Sequence, residues 1–98
     1  MFHRKLREGV VDASGFHLLC DQFEADCASG LWQWRAVDDA LLASSTRRFR
    51  GLPSTTFLRA AGGLHLTCAA EEGCTTLHTS DRHMIAAAPA FGLQAVTL

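Results

Sequence analysis

Apolar residues recur at helical spacing over residues 13–28, and polar residues fill the positions between them. The apolar positions are Phe16, Leu19, Cys20, Phe23 and Cys27. Asp12 precedes this pattern, and aspartate commonly accepts hydrogen bonds from the first N–H groups of a helix. The pattern therefore predicts a helix that buries one face and ends at Gly30. Upstream, residues 3–8 predict the tail of a short helix that is stopped by Gly9.

The next segment, residues 32–37, alternates between two sides as a strand does. Trp32 and Trp34 would lie on one side of this strand, and Gln33 and Arg35 on the other. The tryptophans admit two interpretations, which are packing beneath helices and stacking on RNA bases.

Two further helices are predicted in the middle of the chain. Asp38 is an expected N-cap for a helix through residue 49, and Pro53 prevents that helix from continuing. Its expected inward residues are Leu41, Leu42 and Phe49. The second helix covers residues 57–72 and ends in a left-handed cap at Gly73. Its expected buried face consists of Phe57, Ala61, Leu64 and Cys68.

The last third of the chain alternates strand and helix. Residues 75–79 predict a short strand, residues 82–88 an alanine-rich helix, and residues 94–98 a closing strand. With the strand predicted earlier, this gives an α/β fold. Asp81 directly follows the second strand, at the carboxyl end where open α/β sheets usually place a site.

Composition limits the class of protein. The chain has 98 residues, 48% hydrophobic and 19% charged, with a formal net charge of −1. These values suit one folded domain over residues 1–98, and they give no overall attraction to nucleic acid. There is no apolar run of membrane-spanning length, and the basic first seven residues lack the apolar core of an export signal. We expect a cytoplasmic protein with no membrane partner and with reduced thiols at Cys20, Cys27, Cys68 and Cys74.

Three charged clusters each admit a functional and a structural interpretation, and the structural one is favoured in every case. Metal binding or a solvated helix face would explain Asp21, Glu24 and Asp26. Phosphate contact or interaction with a helix dipole would explain Arg47, Arg48, Arg50 and Arg59. A metal site or scattered surface residues would explain His78, Asp81 and His83.

A family resemblance rests on the central stretch. Residues 58–66 have the pattern L-R-A-A-x-x-L-H-L, which precedes the glycine-turned strand and T-S-D-R-H at residues 79–83. This combination resembles the carboxyl-terminal half of the PIN-domain family, and within it the VapC-type ribonuclease toxins of toxin–antitoxin modules. The similarity continues through P-A-F-G-L at residues 89–93. The resemblance implies a three-layer sandwich with a short parallel sheet flanked by helices, Mg²⁺-dependent cleavage of RNA, and a small antitoxin as partner.

The chain departs from the family pattern at the acidic residues. Family members carry acids on the first strand, on an early helix, in the helix matching residues 57–72 and after the strand matching residues 75–79. Where the family usually has Asp-Ala-Leu-His, this chain has Gly62, Gly63, Leu64 and His65. The first strand is missing and so is the region that supplies the helical Glu, so the resemblance implies a truncated, partial sandwich. Only Asp81 matches, and the resemblance makes it the single metal ligand.

One carboxylate is too little for Mg²⁺, because this ion gives up its bound water reluctantly. We therefore predict a degenerate PIN-domain protein without ribonuclease activity, with no catalytic residue, no stably bound Mg²⁺, and RNA as a partner only if it is active. Gly62 and Gly63 are also expected to weaken their helix by about 0.5–1 kcal/mol each. Open sheet edges predict a poorly stable monomer or a homo-oligomer.

Two alternatives stay open. The apolar face of residues 13–28 predicts an interaction module that binds an antitoxin or a second copy of the chain. A start codon assigned too late predicts that the sequence is a fragment of a Mg²⁺-dependent endoribonuclease toxin.

Overall fold

A computed structural model describes residues 2–97. The chain forms two compact units, Met1–Trp34 and Arg35–Leu98, which we call the N-terminal unit and the C-terminal unit. The single domain over residues 1–98 stays a prediction.

The N-terminal unit contains two helices, α1 (Phe2–Arg7) and α2 (Ala13–Ala28). The predicted N-cap of α2 is confirmed, because the Asp12 carboxylate accepts the Gly15 N–H at 2.7 Å. The helices meet through aromatic edges, with the Phe2 and Phe23 ring centroids 6.4 Å apart.

The predicted burial of one α2 face is wrong. None of the described residues 2–34 is buried, and Leu19 and Phe23 of the expected inward stripe are 37% and 41% exposed. The helical period is present, but a six-residue α1 is too small to cover a helix of 16 residues.

Residues 32–37 form no strand, so that prediction is also wrong. Alternating residues become a strand only when a neighbouring backbone pairs with them. No such ladder forms within the described part of the chain, and Trp32 and Trp34 are 47% and 69% exposed. The packing of the tryptophans beneath helices is therefore wrong as well.

The C-terminal unit begins with α3 (Asp39–Gly51) and α4 (Ala60–Glu71), which pack against each other. Asp38 caps α3 as predicted, since its carboxylate accepts the Leu41 N–H at 2.9 Å. Leu41 is buried as expected, whereas Leu42 is 46% exposed. Small residues allow the two helices to approach closely, and those buried are Ser44, Ser45, Gly63 and Thr67.

Gly63 has a packing role that the sequence-based estimate of its cost did not include. A Cβ atom added at Gly63 would overlap the ring carbons of Phe49 on α3. The glycine therefore admits an aromatic ring between the helices, while the Thr67 hydroxyl donates to the Gly63 carbonyl at 2.7 Å. Gly63 thus lowers the helix propensity of α4 and at the same time makes room for the Phe49 ring.

The buried face of α4 differs from the predicted one. Leu66 and Thr67 are fully buried, whereas Phe57 lies before the helix and is 57% exposed. Ala61 is also exposed, and Leu64 and Cys68 are half-buried. Nearly every residue of α4 is apolar or small, so the apolar pattern did not determine which side faces inward.

After α4 the chain forms a β–α–β unit. Strand β1 (Thr76–His78) precedes α5 (Arg82–Ala87), a 3₁₀ turn (Ala88–Phe91) and strand β2 (Gln94–Val96). The strands are parallel, with Leu77 opposite Ala95. Gly73 has φ of +77°, which confirms the predicted left-handed cap.

The core lies between α4 and this β–α–β unit. Its buried members are Leu66, Met84, Ala87, Ala88, Phe91 and Leu93. The described residues thus form a mixed α/β fold that is mostly helical, with a two-stranded parallel sheet. The strand predicted over residues 32–37 does not form. Leu98, the last residue of the predicted closing strand, lies outside the described residues.

Candidate functional site

The site residue predicted from the sequence lies in a cleft of the C-terminal unit. The cleft has a volume of about 260 Å³. Residues from the start of α4 and the start of α5 form its walls: Leu58, Arg59, Gly62, Asp81, His83 and Met84. The structure therefore brings Asp81 and Gly62 to one cavity, although 18 residues lie between them in the chain.

Asp81 lies beyond the carboxyl end of β1, as predicted, and it is the N-cap of α5. Its Oδ1 atom accepts the His83 N–H at 2.8 Å and the Met84 N–H at 3.2 Å. The Asp81 N–H in turn donates to the Thr79 hydroxyl at 3.1 Å. One carboxylate oxygen is therefore engaged in holding the strand-to-helix connection.

The capping role was detectable from the sequence. An aspartate immediately before a helical pattern is a standard N-terminal signal, and it is the same signal that located Asp12 and Asp38. The family resemblance implied a metal ligand at Asp81 and the residue pattern favoured a surface position, and neither implied the helix cap.

The environment of Asp81 favours its ionised form. The N–H groups of Met84 and His83 hold the pKa of Asp81 below its ordinary value of 3.8, and the nearby charges of His83 and Arg59 act in the same direction. Arg59 thus contributes a positive charge to the cleft. From the sequence alone, this arginine was predicted only as part of a basic cluster.

Aromatic packing fixes the position of His83 at the rim of the cleft. The His83 imidazole and the Phe57 ring lie with centroids 4.5 Å apart and planes inclined by 55°. Phe57 makes this contact while remaining 57% exposed. Within residues 2–97, His78, Asp81 and His83 do not form a group that could hold a metal ion.

The donors in the cleft do not fit a Mg²⁺ ion. A hard divalent cation requires several oxygen ligands, and the cleft walls provide a single carboxylate whose Oδ1 already accepts two N–H groups. Arg59 adds a cation that repels another cation. Asp81 as a metal ligand stays a prediction, and no chemical step through a metal is derived from this geometry.

A second charged cluster, centred on Arg35, was not identified from the sequence. The Arg35 guanidinium lies 2.8 Å from the Glu72 carboxylate, 3.2 Å from Asp38 and 3.8 Å from Glu71. The hydrogen bond to Asp38 and the charge of Asp38 raise the pKa of Arg35. The pKa of Asp38 is lowered, mainly by the hydrogen bond from the Leu41 N–H and next by the hydrogen bond from Arg35. This cluster joins the start of α3 to the end of α4, which is a structural role.

The predicted basic cluster divides between different surroundings. Arg48 lies over the Phe91 ring, with its guanidinium carbon 5.5 Å from the ring centroid. Arg59, in contrast, lines the cleft. Arg48 is therefore used in a cation–π contact with the core.

The four cysteines are unpaired in the structure. Burial raises the pKa of the Cys68 thiol, and the negative charge of Glu72 acts in the same direction. Cys68 is thus held as a neutral thiol, as expected of a structural cysteine.

No protein-family model, curated protein or solved structure matches this chain. The PIN-domain resemblance therefore rests on the motif residues alone. Within residues 2–97, no helix combines the length and apolar character needed to cross a bilayer.

Proposed function

We propose that the chain is a PIN-like protein that does not cleave RNA. The observation that carries this proposal is the shared cleft of Gly62 and Asp81. In the family pattern these two positions are both acidic, and a cleft lined by both corresponds to a metal site. Here one position has no side chain and the other is a helix cap.

The charge of the cleft supports the same proposal. Metal-dependent cleavage requires a cation that activates water and stabilises the negative charge on the phosphate. With Arg59 and His83 beside a single carboxylate, the cleft lacks the excess of negative charge that would hold such a cation.

The direct test measures RNA cleavage and cation binding by the purified full chain. We expect no cleavage with Mg²⁺ or Mn²⁺, and no saturable Mg²⁺ uptake by titration calorimetry. Cleavage that disappears in Asp81→Asn would overturn the proposal, because asparagine keeps a capping oxygen but removes the charge.

A gain-of-binding experiment tests whether the cleft corresponds to the family site. Gly62→Asp returns a carboxylate facing Asp81, and Gly62→Asn is the matched neutral control. An added Cβ at Gly62 would lie 3.1 Å from Leu58 Cδ1 and 3.2 Å from Met84 Cγ, both on flexible side chains that can yield. We expect weak Mg²⁺ uptake that is greater in the Asp variant than in the Asn variant, because two carboxylates complete only part of the ligand shell. Equal uptake by both variants contradicts the assignment of the cleft.

A second function, protein binding by the N-terminal unit, is favoured by a different observation. Leu19, Phe23 and Trp34 are 37%, 41% and 69% exposed, and the Phe23 and Trp34 rings lie 6.3 Å apart. The Phe2 ring packs edge-on against Phe23, and we call Phe2, Leu19, Phe23 and Trp34 together the aromatic face. An exposed apolar surface of this kind marks an interaction site.

The test of this second function is co-expression with an antitoxin encoded beside the chain. We expect co-purification that is lost in Phe23→Asp and kept in Leu18→Asp, because Leu18 is 67% exposed on the same helix but off the aromatic face. Equal binding by both variants would argue against the aromatic face as the binding site.

A further inference from the structure

Two side chains of opposite charge line the cleft of the C-terminal unit without pairing with each other. Arg59 lies at the start of α4 and Asp81 at the start of α5, and both form part of the cleft wall. The two side chains are not within ion-pair distance of one another. The cleft thus holds a cation and an anion on separate parts of its wall.

Both side chains also keep unused bonding capacity. Within residues 2–97, the Arg59 guanidinium makes no hydrogen bond or ion pair, whereas Arg35 is engaged with Asp38 and Glu72. Both N–H groups that Asp81 accepts go to Oδ1, so Oδ2 has no hydrogen-bond partner in the described part of the chain. The cleft therefore offers unengaged guanidinium N–H donors and one carboxylate oxygen to a bound molecule.

The rest of the wall is apolar or without a side chain. Leu58 and Met84 line the cleft, and a Cβ added at Gly62 would lie 3.1 Å from Leu58 Cδ1 and 3.2 Å from Met84 Cγ. Glycine at this position therefore keeps space open between the two apolar side chains. The volume of about 260 Å³ lies below the roughly 300–1,000 Å³ of pockets for drug-sized ligands, which indicates a small molecule.

The charges restrict the chemistry of that molecule. A simple anion is attracted by Arg59 and repelled by Asp81, and a simple cation has the opposite difficulty. A zwitterion that carries a carboxylate and an ammonium group satisfies both residues at once. Its apolar part would contact Leu58 and Met84, and the His83 imidazole at the rim adds a further polar group.

We propose that the cleft binds a small zwitterion with an apolar side chain, of the α-amino-acid class, with its carboxylate at Arg59 and its ammonium group at Asp81 Oδ2. This proposal goes beyond the function proposed above, because it requires neither a metal ion nor RNA. It also depends only on residues of the C-terminal unit.

The first experiment titrates the ¹⁵N-labelled full chain with L-leucine and follows the amide signals of Gly62 and His83. We expect saturable shifts with a Kd of about 1 mM, because charge pairs at exposed positions contribute little. N-acetyl-leucine lacks the ammonium group and leucine amide lacks the carboxylate, so each is expected to bind about tenfold more weakly. No saturable shift with leucine, or equal binding of leucine and either analogue, would overturn the proposal. So would inorganic phosphate binding as tightly as leucine, since that is the behaviour of a plain anion site.

The second experiment assigns each charged group of the ligand to its residue. Arg59→Gln should weaken leucine about tenfold and leave leucine amide unchanged. Asp81→Asn, which keeps a capping oxygen, should weaken leucine to a similar extent and leave N-acetyl-leucine unchanged. Arg47→Gln is the matched control, because it removes an exposed arginine outside the cleft wall and should not affect leucine binding. Circular dichroism verifies that each variant retains its helices. An equal loss for all three probes in either cleft variant would contradict the assignment of the two ends.

The outcome for this ligand is separable from the outcome for the proposed function. The amino-acid titrations contain no divalent metal, and the RNA-cleavage assay contains no amino acid. A chain that binds leucine as described and also cleaves RNA would overturn only the earlier proposal. A chain that does neither would overturn only the zwitterion site.

Discussion

The C-terminal unit encloses a core around Leu66, which is fully buried, whereas none of the described residues of the N-terminal unit is buried. Both units contain helices with confirmed aspartate caps. They differ in what packs against those helices within each unit, because α4 has neighbours on α3 and on the β–α–β unit, whereas α2 packs against the short α1. A helix with a well-formed apolar stripe is thus buried only where other elements are available to cover it.

This difference suggests a division of roles. The C-terminal unit has a buried core and forms the walls of the cleft, whereas the N-terminal unit leaves large apolar side chains exposed. Large exposed aromatic residues are unfavourable in water unless a partner covers them.

The largest expected effect tests the difference in burial directly. Leu66→Ala removes a fully buried side chain and should reduce the free energy of unfolding by about 2–5 kcal/mol. Leu18→Ala, at a position 67% exposed in the N-terminal unit, should change it by no more than about 0.5 kcal/mol. Urea denaturation followed by circular dichroism measures both. Equal losses would show that the two units do not differ in packing as described.

A smaller effect is expected at the contact between α3 and α4. Gly63→Ala adds a methyl group where the Phe49 ring lies, and overpacking of this kind costs about 1–3 kcal/mol. Gly51→Ala is the matched control, because nothing lies within 4 Å of its added Cβ and alanine favours a helix. The same denaturation experiment compares them. A stabilised Gly63→Ala variant would mean that helix propensity, rather than the Phe49 contact, dominates at this position.

The smallest effect concerns acid stability in the C-terminal unit. The pKa of Asp81 is below its ordinary value of 3.8 when the chain is folded, so the unfolded chain binds more protons as the pH falls. The stabilisation from Asp81 is therefore complete above 3.8 and is lost as the pH drops through the folded pKa. Asp81→Asn should flatten the acid limb of a stability–pH profile. An unchanged slope would show that the N–H groups of Met84 and His83 do not favour the charged form.

The sequence predicted the local elements well and the burial poorly. Asp12, Asp38 and Gly73 marked helix ends because capping depends on hydrogen bonds or on a backbone conformation within a few residues. The residue pattern located the last two strands, whereas their parallel arrangement was implied only by the family resemblance. The strand predicted over residues 32–37 failed because pairing depends on a partner elsewhere in the chain.

For the same reason, only the local part of the candidate site was predicted. Asp81 was located correctly after β1, but its capping role and its neighbours Arg59 and His83 were not anticipated. Its engagement with the α5 N–H groups could have been inferred from its position. The approach of Arg59 could not, because it depends on how α4 lies against α5.

The amino-acid sequence alone determined where most helices start, where the chain turns, and that one carboxylate follows the strand at residues 76–78. These features depend on hydrogen bonds and backbone conformations between near neighbours. Only the tertiary structure decided that Gly63 admits the Phe49 ring, that Gly62 and Asp81 share a cleft, and that Phe23 of α2 is 41% exposed. Burial and close approach are set by residues distant in the chain, and apolar spacing specifies a face without specifying what covers it.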